Sequence, residues 1–206
     1  MHHPGGVGDL FSSLSDAEHS GDLAFVGHYN GAAGLAEGFA EAAEAIFSAW
    51  QGQEWPNDRL LLPIAYNYRH ALELALKQAI RQALECCQLN GDDPGLTAQA
   101  LEAHFKQTQR HRLGPLAQQL AGMLANLNLG QLPPDTSRLL QDLHQLDPTG
   151  EAFRYEGQLK TSASHVDVPR LVQRFRTAFA ILHGGVLTAL DEYASFLREI
   201  RMEYGP

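Results

Sequence analysis

"AYNYRHALELALK", residues 65–77, decides how this chain is read. At about 100° per residue, Ile64, Tyr68, Ala71, Leu72, Ala75 and Ala79 fall in one apolar sector. Tyr66, Arg69, His70, Glu73, Lys77 and Arg81 fall on the other side, a polar row about four turns long. Glu73 to Lys77 is the favourable orientation of an i,i+4 pair, and Arg69 with Glu73 is the weaker reversed one. The pattern predicts a helix over residues 59–89. On its own it fits two readings of the row: a solvated face stitched by ion pairs, or a partly buried constellation that orients a cationic group towards a ligand or a second loop.

Outward from this helix the punctuation stays helical. "LAEGFAEAAEAIFSAWQ" places Leu35, Phe39, Ala43, Ile46 and Trp50 at steps of three and four. "GQEWPNDR" breaks that helix, with Asn57 or Asp58 as the next cap and Pro63 acceptable in the first turns. Gly91 and Pro94 in "LNGDDPG" end the long helix. A short helix is expected over 97–107 and another from about 113. "GQLPPDTS" interrupts, with Asp135 or Ser137 as cap of "RLLQDLHQL". A last helix is expected over 168–203, with a bend at Gly184–Gly185. No stretch alternates as a strand would. The expected architecture is all-α: an up-down helical bundle of four to five main helices, with a long loop before the last one. Residues 1–33, rich in Gly, Ser and His, read as a loosely ordered segment with one short turn at "SLSDAEHS"; residues 34–206 form the bundle domain. The 23-residue connection from Asp147 to Pro169 is long for a compact domain, and such loops are usually functional or disordered.

Bulk properties narrow the classes. The chain has 206 residues and a formal net charge of −9, which argues against a broad surface that coats nucleic acid but leaves room for a local basic patch. Its two cysteines, Cys86 and Cys87, are adjacent and splayed on a helix, which disfavours a bridge between them. Their usage fits a reducing compartment, and with no apolar run of membrane-spanning length and no secretory signal the expected location is cytoplasmic, away from membranes. HExxH, CxxC, GxSxG and a phosphate-binding glycine loop are absent, so neither metal nor cofactor is expected.

Three further elements carry candidate chemistry. "HRLGPL" opens with His111. "FRYEG", residues 153–157, sets Arg154 between Phe153 and Tyr155; such a triplet stacks a base and meets a phosphate, or else anchors the loop, with Arg154 paired to a carboxylate such as Glu73. "RFRTAFAILH" sets Arg176 seven residues before His183, the spacing of a cation and a general acid or base on one helix face, or of two ordinary surface residues.

"RHALELALKQAI", "HRLGPL" and "FRYEG", in that order, resemble the signature elements of the HEPN superfamily (higher eukaryotes and prokaryotes nucleotide-binding domain). The resemblance covers about residues 60–190. It implies a bundle of four main helices, a homodimer, and a place in toxin–antitoxin, phage-defence or RNA-processing systems, with a nucleotidyltransferase as partner in some members. Its elements match at Glu73, Lys77, His111, Arg154 and Tyr155, and with Arg69 and His70 of the polar helix row these residues are expected to form a site for a nucleotide or RNA. Catalytic members are metal-independent ribonucleases that carry Arg and His with four to six residues between them, and these side chains from two protomers meet across a dimer interface. Here Arg154 to His165 is too long. Arg176 to His183 fits, but inside the last helix and with Thr177 where Asn, Asp or His is usual. The expectation is a nucleotide- or RNA-binding or regulatory protein; the alternative is a metal-independent endoribonuclease that uses Arg176 and His183.

Overall fold

The computed structural model describes residues 32–55, 57–92, 95–155, 158–159 and 165–204. Among them the chain is an all-α bundle without a strand. The turn expected near the N-terminus lies outside the described residues.

Helix α1 (Ala32–Gln51) packs on α2 (Leu61–Asn90), which also meets α4 (Leu113–Asn126), α6 (Val168–Phe179) and α7 (Leu187–Tyr204). At about 1.5 Å per residue α2 is roughly 45 Å long. It is the centre of the molecule rather than an amphipathic wall. Its apolar sector is buried as expected, and so are Ala65, Leu76, Ile80, Ala83 and Cys86. A single 3₁₀ turn, Asp58–Leu60, leads into it, and Asn57 makes no side-chain capping bond. Gly91 ends it at φ 85°, the left-handed cap that glycine adopts without strain.

The buried face of α1 is displaced from the expected one. Ala36, Ala40, Ala43 and Phe47 are buried, Leu35 is 43% exposed, and Phe39, Ile46 and Trp50 lie at the margins. Alanines on α1 meet an alanine-rich α2, so the two backbones approach closely and the larger side chains are left to the flanks. Thr97 caps α3 (Ala98–His104) by accepting from the Ala100 N–H at 3.1 Å. The helix then widens into a π turn, Phe105–Gln109. Helix α5 (Pro134–Leu146) begins earlier than expected. Proline occupies its first position and neither Asp135 nor Ser137 caps it, because proline already suits an N-terminus. The last helix is continuous but irregular: α6 and α7 are joined by a π segment, Ala180–Val186, that contains Gly184 and Gly185. Gln82 pairs with Asp191 and Glu85 with Arg198, so α7 runs parallel to α2.

Candidate functional site

The centre of the site is a carboxylate inside the bundle. Glu73 is 1% exposed, because α2 is covered on the side that the wheel leaves polar. Its Oε1 accepts from Lys77 Nζ at 2.7 Å and lies 3.0 Å from His111 Nδ1; its Oε2 accepts from Arg69 Nη1 at 3.3 Å. Burial raises the Glu73 carboxyl, but Lys77, His111 and Arg69 together overcome that and hold it below its ordinary value.

Arg69, 2% exposed, ties three segments together. From α2 it donates to the His111 carbonyl at 2.6 Å and to the Asp147 carbonyl at 3.2 Å. Its Nε lies 2.8 Å from Asp147 Oδ2, an ion pair by proximity whose N–H does not aim along the line of a hydrogen bond. Burial lowers the Arg69 guanidinium from its usual value, and Asp147 and Glu73 work against that. Asp147 is fully buried, and its Oδ1 accepts the backbone N–H groups of Gly150, Glu151 and Ala152 at 2.8, 2.8 and 3.0 Å. This folds the first part of the long connection into a capped turn. Gly150 adopts φ 86°, and a Cβ there would sit 2.5 Å from His111 Cβ and 3.2 Å from Arg69 Nη1. The turn therefore closes directly on the ion network.

Four sequence-predicted residues surround this core at increasing exposure. Lys77 is mostly covered. His70 makes an edge contact with Phe39, stacks on Tyr66 and lies 3.9 Å from Glu73. Burial is the main cause that lowers its pKa, so it is neutral at pH 7. His111 is half exposed. Arg154 is exposed; its Nε donates to the Gly150 carbonyl at 3.2 Å, and its guanidinium stands 5.8 Å from the Tyr66 ring and 5.5 Å from the Tyr155 ring. Tyr155 is 56% exposed, whereas Phe153 packs against the core.

Three sequence-based placements change. Arg69 and Glu73 do not reach the surface; they lie beneath His111 and the Asp147 turn. The expected Glu73–Arg154 pair does not form, because Lys77, His111 and Arg69 already occupy the Glu73 carboxylate and Arg154 is held at Gly150 and between two tyrosines. Arg176 and His183 stand apart from this constellation and both face α1. Arg176 forms a two-point ion pair with Glu44, which also accepts from Tyr68, and its guanidinium lies over Phe47. His183 stacks on Phe179, its Nε2 3.8 Å from Glu37 and without a hydrogen bond. An arginine neutralised by its own carboxylate makes a poor phosphate clamp.

Asp147 was missed by the sequence reading. Its signal was the short run Asp147-Pro148-Thr149-Gly150, an aspartate that can bond the backbone just ahead of it, followed by a residue free to take positive φ. Among the described residues no group of three or more His, Cys, Asp or Glu side chains converges as metal ligands would, and no helix is long and apolar enough to cross a membrane. A scan against protein-family models finds no match, and neither a search of curated proteins nor one of solved structures finds any.

Proposed function

We propose that this chain is a nucleotide- or RNA-binding helical protein of the HEPN-like kind, acting as a binding or regulatory member of a toxin–antitoxin or defence system. The observation that supports this is a platform of half-buried Tyr66 with exposed Arg154 and Tyr155, held by the Gly150 turn on the buried Arg69–Glu73–Asp147 network. A tyrosine face accepts a nucleobase, and base–aromatic stacking contributes about 1–3 kcal/mol per base. An arginine pre-set between two rings offers a second stacking plane and a forked donor for phosphate. The buried network lowers the entropy lost on binding, because the turn that carries Arg154 and Tyr155 is tied to it through Asp147 and Gly150. Homodimerisation and a nucleotidyltransferase partner belong to the same reading.

The test is fluorescence anisotropy with a labelled single-stranded oligoribonucleotide, on the wild-type chain and on Arg154→Ala and Tyr155→Ala. Each change is expected to weaken binding by about ten-fold or more. Tight binding that neither change affects would remove the site. Incubation of the same RNA with the protein in EDTA separates binding from metal-independent cleavage. Intact RNA supports the binding reading; cleavage lost in Arg176→Ala or His183→Ala would move the activity to that pair.

A further inference from the structure

A second concavity opens beside the platform, between α2, α3 with its π turn, and the start of α1. It encloses about 720 Å³, and its apolar surface comes from Leu35, Leu74 and Phe105. Its polar lining is Lys77, Arg81, Lys106, Arg110 and His111, against the single carboxylate of Glu102. In a chain with 15 Lys and Arg against 24 Asp and Glu, four cations on one groove reverse the local sign of the charge.

The charges are not all spent on each other. Arg81 pairs with Glu102 and Lys77 with Glu73. Both are also seated by the Phe105 ring, which lies 5.9 Å from Lys77 Nζ and 5.1 Å from the Arg81 guanidinium carbon. Lys106 and Arg110 are exposed and neither forms an ion pair among the described residues, although Glu102, already paired with Arg81, lies near enough to feel the Lys106 charge. Arg110 is also strained. It closes the π turn, donating its N–H to the Phe105 carbonyl at 2.7 Å, at φ 45° and ψ −109°. That is close to the first central position of a type II′ turn, where glycine is the favoured residue. Strain at a non-glycine residue is kept where the surrounding structure over-determines it, and such positions cluster at ligand clamps.

His111 joins the groove to the platform. It lines the groove, bonds Glu73 through its ring, and lies against Gly150, whose carbonyl holds Arg154. We propose that the groove of Lys106, Arg110 and His111 binds the phosphate groups of the ligand whose base stacks on Tyr66, Arg154 and Tyr155. The identity of that ligand rests on the function proposed above; the anion site rests on the groove alone. Lys106 and Arg110 supply the net charge, Lys77 and Arg81 offset the carboxylates of Glu73 and Glu102, and His111 spans the two halves.

Inorganic tripolyphosphate is the probe that separates the two, because it has no base. Calorimetric titration of the full-length protein at low salt is run on wild type, on Lys106→Gln/Arg110→Gln, and on Arg154→Ala/Tyr155→Ala. The wild type is expected to bind. The groove variant is expected to bind at least ten-fold more weakly, and the platform variant, which gives up the Arg154 donor but no groove charge, by a clearly smaller factor. Both altered pairs are exposed, so circular dichroism and thermal melting should match wild type and confirm folding. A wild type that binds no tripolyphosphate, or a groove variant that binds it as well as wild type, overturns the inference. Tripolyphosphate binding with no oligoribonucleotide or nucleoside triphosphate binding keeps the anion site and discards the base platform. Where the organic ligands do bind, the tighter of the two identifies whether the phosphates come from RNA or from a free nucleotide.

Discussion

Replacing Arg69 by methionine tests the centre of the structure. Methionine keeps much of the stem and removes the guanidinium. Three segments lose their common tie: α2, the turn at His111 and the turn at Asp147. The Glu73 carboxylate keeps Lys77, which is near enough to the surface to follow it. The Asp147 carboxylate has no such replacement. Its Oδ1 still caps three backbone N–H groups, but Oδ2 is left fully buried with no opposite charge beside it. Breaking a buried ion pair from one side costs about 3–5 kcal/mol, because the remaining charge is stranded. Set against a total stability of about 5–15 kcal/mol for a domain, that is a large share. Urea unfolding followed by circular dichroism at pH 7 measures it, with Arg81→Met as the control. The Arg81–Glu102 pair is well exposed on both sides and should cost under about 1 kcal/mol. Adding Asp147→Asn to Arg69→Met should cost less than the two single changes together, by about 1 kcal/mol or more, since the partners share one interaction. An Arg69→Met loss no larger than the Arg81→Met loss would refute the view that this network holds the site.

Three more outcomes are expected. Stability should fall on acidification in two stages of the same sign: burial lowers the folded pKa of His70 and His144 below 6.5, so the unfolded chain takes up protons first as pH drops through 6.5, and Glu73, held below 4.5, contributes full stability above that value and loses it as pH falls through its folded pKa. Chemical denaturation at pH 7, 5.5 and 4 reads both stages, and Glu73→Gln should flatten the lower one. Gly150→Ala should destabilise by about 2 kcal/mol or more, from the positive φ and the clash with His111 together, and should also weaken RNA binding by displacing Arg154; an unchanged melting temperature would contradict the tight closure of that turn. Arg110→Gly should stabilise by about 1 kcal/mol while weakening tripolyphosphate binding, the opposing signs expected if strain is retained for a ligand.

Periodicity was enough for the helical class and for the extent of α2, because its apolar residues recur at helical steps and a left-handed glycine stops it at Gly91. Adjacency in the chain also proposed the pairs Arg69–Glu73 and Glu73–Lys77, since side chains four apart on a helix must meet. A helical wheel has no knowledge of what covers the far side of a helix. It therefore assigned Arg69 and Glu73 to a polar face that the fold places inside the molecule. The partners that bury them, His111 and Asp147, lie 42 and 78 residues from Arg69 along the chain. No local pattern encodes such distances. The same limit explains Arg154: the sequence offered a free carboxylate at Glu73, and only the packed structure shows that carboxylate already filled, which leaves Arg154 between two tyrosines at the surface. The sequence by itself determined which segments become helices and which of their residues carry charge. The tertiary structure decided which of those charges are buried and paired and which, at Lys106, Arg110 and Arg154, remain at the surface, because that depends on which turns close over α2.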